Sequence, residues 1–159
     1  MKTKHSPSSK FSKTKSHPFW QVFWLSFLVV SLAYAWYSFY VPSNDIQWSN
    51  DTTSVQHLKN DYSNHTLLFF TGEWCSPCRI MKREVFADKE VAKVINSQFI
   101  PLIIDIDDPN NKVLVQHYNV HSTPTTLIVD AEGIVLDKAV GKIDKKEFIK
   151  IITKFESPK

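Results

Sequence analysis

The two cysteines of the chain stand three apart in Thr71-Gly72-Glu73-Trp74-Cys75-Ser76-Pro77-Cys78-Arg79, where an apolar run gives way to a helical pattern. Leu67 to Phe70 is a continuous apolar stretch of strand length, Gly72 and Glu73 break it, and from Ser76 to Phe86 apolar residues recur at helical spacing. Cys75 is therefore expected at a helix N-terminus, where unpaired N–H groups and the helix dipole favour a thiolate over a thiol. Cys78 follows one turn later on the same side, within reach of a disulfide to Cys75 and buried behind it. The spacing makes Cys75 the exposed attacking sulfur and Cys78 the resolving one. Pro77 is tolerated in a first helical turn because the missing N–H would be unpaired there anyway. Together with Ser76 it is expected to tune the redox potential of the pair.

A structural staple is the weaker reading, since a loop this short adds little chain-entropy stabilisation to a body with enough apolar content for its own core. Zinc generally needs four ligands, and one C-x-x-C supplies two, with His5, His17, His57, His65, His117 and His121 in no tight spacing. Haem attachment would need a histidine where Arg79 stands. No metal is assigned. Copper(I), which is satisfied by soft thiolates, keeps a copper-handling or redox-sensing module open as the alternative function. Met81, the methionine nearest the pair, is expected in the core.

Charge divides the chain. Residues 1–40 carry five lysines and no acid, leaving 14 basic groups against 16 acids in the remainder. The overall +3 is thus no argument for nucleic-acid binding; it is a topology signal. From His17 to Asn44 there is no charged residue, and Pro18 to Val41 would span about 36 Å as a helix against a hydrocarbon core of about 30 Å. Phe19, Trp20, Phe23 and Trp24 crowd one end and Trp36, Tyr37, Phe39 and Tyr40 the other, as interfacial belts do. These features predict a disordered basic cytoplasmic tail over 1–17, a transmembrane signal anchor over 18–41, a linker over 42–51 and an exported domain over 52–159. A signal peptide cleaved after Ala35 in Ala33-Tyr34-Ala35 is the rival reading, and it exports the same domain.

Within the domain, Thr52 or Thr53 is expected to cap a helix to about Ser63. Thr66 to Thr71 is expected as a strand, and the helix after the cysteines is expected to be broken near Ala87, with Asp88 as a second N-cap. Phe99 to Ile106, apolar on both faces, is expected as a central strand. Asn110 to Tyr118 is expected as a short helix, Thr125–Val129 and Ile134–Val140 as an antiparallel hairpin. Asp144 is expected to cap a closing helix whose buried stripe is Phe148, Ile151, Ile152 and Phe155. The order is that of an α/β sandwich with a mixed sheet. Asp105, Asp107 and Asp108 are read as strand-end and turn residues, and His121 as exposed. Asn50-Asp51-Thr52 and Asn64-His65-Thr66 match a glycosylation pattern that is common by chance.

With W-C-S-P-C after a strand, Thr123-Pro124 before the hairpin, and Gly133 and Gly141 around its second strand, residues Ser54 to Phe155 resemble the thioredoxin superfamily. They look closest to exported members such as the C-terminal domain of DsbD-type reductases. The resemblance implies a three-layer thioredoxin-like sandwich behind one transmembrane helix. It further implies thiol–disulfide exchange with exported protein substrates and a membrane electron donor of the DsbD type. No cofactor beyond a redox-active Cys75–Cys78 disulfide is implied. It also implies that Pro124 is cis and packs against the dithiol, keeping metal from the thiolates, that Thr123 pairs its backbone with a substrate, and that Trp74 shields the dithiol. Typical members place a buried aspartate six residues before the first cysteine. This chain has Phe69 there, which leaves Glu73 as the candidate proton acceptor nearest in sequence.

Overall fold

The computed structural model describes residues 18–49 and 65–155, and the chain divides into two units, Met1–Phe39 and Tyr40–Lys159. The first contains α1 (Pro18–Phe39), 22 residues without a charge, long and apolar enough to cross a membrane. The basic tail expected over 1–17 and the helix expected over Thr52–Ser63 lie outside the described residues.

In the second unit the sheet begins with β1 (His65–Thr71), buried along nearly its whole length. Successive strand side chains point to opposite faces, so four consecutive large apolar residues divide two and two. Leu67 and Phe69 enter one core cluster, Leu68 and Phe70 the other. Each of these side chains contributes about 1.5–3 kcal/mol by leaving water. Helix α2 (Ser76–Met81) runs directly into a π-helical turn (Lys82–Phe86), which ends at Ala87. Helix α3 (Lys89–Gln98) starts afresh at Asp88, whose carboxylate accepts from the backbone N–H groups of Glu90 and Val91. The expected break near Ala87 is thus present, and Asp88 is its cap.

Strand β2 (Phe99–Asp105) returns parallel to β1. A 3-10 turn (Pro109–Asn111) and α4 (Lys112–His117) follow, with Leu114 and Val115 packed on the second cluster and Val113 exposed. The hairpin comprises β3 (Thr125–Val129) and β4 (Val135–Val140). Its turn is held by Asp130 Oδ1, which accepts from the N–H groups of Glu132 and Ile134, with Gly133 at φ 82. Helix α5 (Lys145–Ile152) is capped by Asp144, which accepts from Glu147 N, and closes on a 3-10 turn (Thr153–Phe155). Its buried stripe is Phe148 and Ile152, with Ile151 and Phe155 partly buried, as the spacing predicts.

The sheet order is β2-β1-β3-β4, parallel between the first pair and antiparallel elsewhere. Helices α2, α3 and α5 cover one face and α4 the other, which makes three layers. Two expectations differ from this arrangement. Among the described strands β2 stands at the end of the order, with β1 between it and β3. Apolar residues on both faces of a strand report layers above and below, not neighbours on both sides. The outer edge of β2 is instead met by Ser49, whose N–H donates to Pro101 O and whose carbonyl accepts from Ile103 N. The segment expected as a linker over 42–51 is accordingly part of the domain over much of its length. Ile46 is buried in the first cluster, and Trp48 packs edge-on against Phe86 with its indole N–H on Asn44 Oδ1. Asn96 clamps the segment by accepting from Gln47 N and donating to Asp45 O.

Candidate active site

The site forms where β1 ends. Thr71 closes the strand, and Cys75 N donates to Gly72 O to make the turn into α2. A Cβ at Gly72 would stand 3.1 Å from Trp74 Nε1 and 3.2 Å from Asp107 Oδ2, so any larger residue there would press on those two side chains. Cys75 is the N-cap of α2, with extended backbone, and its Sγ accepts from Cys78 N at 3.2 Å. An N-cap side chain accepting from the third residue on satisfies one of the unpaired donors of the first turn. That donor and the helix dipole both favour negative charge on this sulfur once the pair is reduced. Pro77 sits in the same turn, and Ser76 and Pro77 are both exposed.

Cys75 and Cys78 are joined by a disulfide with their Cα atoms 5.3 Å apart. Cys78 is buried as expected, and the expectation that Cys75 is exposed is corrected. Both are 1% exposed and share a core cluster with Phe69, Met81 and Phe86. What distinguishes them is position in the helix: Cys75 Sγ receives a backbone N–H, and Cys78 lies within the first turn.

Trp74 is 64% exposed, and its indole N–H donates to Asp107 Oδ2 at 2.7 Å. Glu73 is exposed in the turn, and its backbone carbonyl accepts from Arg79 Nη1 at 3.0 Å. Phe69, six residues before Cys75, is fully buried. Lys82 Nζ lies 6.0 Å from the centre of the Phe69 ring. Burial holds this lysine below its usual value, and the charge of Asp105 opposes that shift.

The Thr123–Pro124 bond is cis and Pro124 is buried. Phe70 pairs with Thr125 across the antiparallel β1·β3 ladder, so Pro124 follows opposite Thr71, at the strand end from which the dithiol helix departs. Pro124 O accepts from Gly141 N at 2.8 Å, with Gly141 at φ 90. Thr123 Oγ1 is buried without a hydrogen-bond partner among the described residues. His121 is exposed, as expected.

Two residues here escape a reading of the sequence. Asp107 anchors Trp74, although it resembles a turn residue among three acids; the parallel pairing of Thr71 with Asp105 is what brings it beside the turn. Lys82 carried a signal, its position four residues after Cys78, but nothing local tells whether a lysine faces a core.

A family model described as "Thioredoxin-like domain" matches residues 53–156. Thioredoxin H4 of Arabidopsis thaliana is 34% identical over 94 residues, covering 58% of this chain and 74% of its own. The disulfide bond reductase DsbH of Chlamydia pneumoniae is 22% identical over 102 residues, covering 58% of this chain and 61% of its own. Among solved structures, the oxidised C-terminal domain of Neisseria meningitidis DsbD superposes with a TM-score of 0.55 at 19% identity, covering 67% of this chain and 97% of that one. A strand-to-helix dithiol on this sheet, matched over most of the globular unit, identifies the chain as a member of the thioredoxin-like family and a thiol–disulfide oxidoreductase.

Proposed function

We propose that the protein is a membrane-anchored oxidoreductase whose exported domain, periplasmic in a bacterial setting, reduces disulfides of exported proteins. Cys75 thiolate attacks one sulfur of a substrate disulfide, forming a mixed disulfide and releasing the other substrate sulfur as a thiolate. Cys78, deprotonated, then attacks Cys75 Sγ. The Cys75–substrate bond breaks, its electron pair leaves on the second substrate sulfur, and the Cys75–Cys78 disulfide remains. A membrane electron donor of the DsbD type restores the dithiol. The observation that carries this reading is the Cys75 Sγ acceptor position at the start of α2, which favours attack by that sulfur.

Thr123 and Pro124 orient the substrate chain beside the strand end, and Trp74 covers the approach to the dithiol. Ser76 and Pro77 set the potential. Pro77 stands before the second cysteine and offers no charge or N–H to the reduced pair, which supports a donor over a strong oxidant. The name of DsbH as a reductase is in keeping with that direction. Anchoring is supported by the length and apolarity of α1 and by the lysines that precede it.

Trapping tests the assignment. In the full-length protein in its membrane, Cys78→Ser accumulates partners as mixed disulfides on Cys75, and Cys75→Ser accumulates none. The reverse pattern overturns the roles. Stoichiometric copper(I) uptake by the purified protein without insulin reduction would overturn the exchange reading itself.

A further inference from the structure

The resolving step requires Cys78 to lose a proton, yet the sulfur is buried among Phe69, Met81 and Phe86, surroundings that disfavour a thiolate. Lys82 follows Cys78 by four residues, and its backbone N–H donates to both Arg79 O and Cys78 O, so the two residues stand one helical turn apart on a shared face. Helical side chains lean toward the N-terminus, which carries the lysine stem back over the turn of Cys78. Its Nζ lies against the Phe69 ring, and Phe69 belongs to the same cluster as both sulfurs. The π-helical turn begins at Lys82, with Ala87 N donating to Lys82 O, an irregularity often found at functional positions.

We propose that Lys82 is a positioning charge for resolution: its ammonium, held one turn beyond Cys78 against the Phe69 ring, favours the Cys78 thiolate and so speeds attack on the Cys75–substrate mixed disulfide. This rests on the exchange reading above. Lys82 acts in this step as a charge and not as the base; the Cys78 proton goes to solvent water, and the electron pair of the broken Cys75–substrate bond leaves on the substrate sulfur.

The surrounding charges are consistent with a local effect. Asp105, at the end of β2, is the acid whose field reaches Lys82. On the same helix Arg79 is engaged with Glu73 O, and Arg83 lies 3.9 Å from Glu84. From α3 and α5, Asp88 and Glu90 pair with Lys145, and Lys142, just ahead of α5, pairs with Glu84. Asp107 is taken up by Trp74.

Alkylation of Cys78 against pH, in the full-length Cys75→Ser chain in detergent, reads the thiolate without any substrate protein. Failure of this proposal is therefore distinct from failure of the exchange reading, which the trapping experiment decides. Lys82→Gln is expected to raise the alkylation midpoint by about one pH unit, as loss of a unit charge several ångströms away implies, and to slow single-turnover release at pH 7 about tenfold. Lys82→Arg should stay close to the parent. Asp105→Asn, which keeps the oxygen that accepts from Asp107 N, should move the midpoint down. Superimposable profiles for the parent and Lys82→Gln, or shifts of the same sign in Lys82→Gln and Asp105→Asn, overturn the proposal. Should Lys82→Gln not fold, Lys82→Met, which keeps an apolar stem without the charge, takes its place, and a profile superimposable on that of the parent overturns the proposal equally.

Discussion

Trp74 Nε1 donates to Asp107 Oδ2 at 2.7 Å across 33 positions of sequence, tying the turn before the dithiol to the end of β2. The bond is exposed, so its effect falls on where the indole sits more than on stability. Asp107→Ala is expected to slow insulin reduction by about two- to tenfold, the range set by a net hydrogen-bond contribution of about 0.5–1.5 kcal/mol, with little change in unfolding midpoint. Asp107→Asn, which retains an acceptor, should recover most of the rate. Equal loss in both variants would show that the charge, not the indole position, matters.

The redox potential should lie nearer the thioredoxin value of about −270 mV than the strong-oxidant value of about −120 mV, because Pro77 gives the reduced pair no stabilising charge. Equilibration against glutathione buffers measures it. A value above about −150 mV would reverse the direction of electron flow proposed here and leave the exchange chemistry standing.

Ile46 and Asn96 test whether residues 44–49 belong to the domain. Ile46→Ala removes a side chain that is 6% exposed and should cost about 2–4 kcal/mol in denaturant unfolding. Asn96→Ala breaks both bonds of its clamp and should destabilise by a smaller amount. No effect from Ile46→Ala would return the segment to the status of a tether.

Acid stability should depend on Asp88. The bond from Lys145 foremost, with the N–H groups of Val91 and Glu90, holds its carboxyl below the ordinary 3.8. A carboxyl lowered on folding stabilises above its unfolded value, and that contribution is lost as pH falls through the folded one. Asp88→Asn keeps the cap and removes the charge. Its urea midpoint should be lower than that of the parent at pH 7, and the two should converge below about pH 3.8. A gap that persists in acid would assign the effect to the cap.

The intact chain should remain in the membrane, with a C-terminal tag accessible to protease from outside and an N-terminal tag protected. A soluble mature chain beginning at Trp36 would replace the anchor with a cleaved signal peptide.

What was legible in the sequence was carried by neighbours along the chain. The Leu67–Phe70 run, the caps Asp88 and Asp144, the turn at Asp130–Gly133 and the placement of Cys75 at a helix start all follow from period, capping chemistry and backbone preference over a few residues. The tertiary structure decided the rest. The parallel register of Thr71 with Asp105 put Asp107 beside Trp74, and the edge of β2 took up Ser49 while Ile46 joined the core. Burial of both cysteines, against the expected exposure of Cys75, depends on layers contributed by α3 and α5 as well as by their own helix. The Lys82 charge faces the dithiol layer because that layer is where Phe69 and Asp105 point. Such contacts join residues with no local signal of each other, since a side chain's period tells which face it occupies and only the packed sheet determines what lies across from that face.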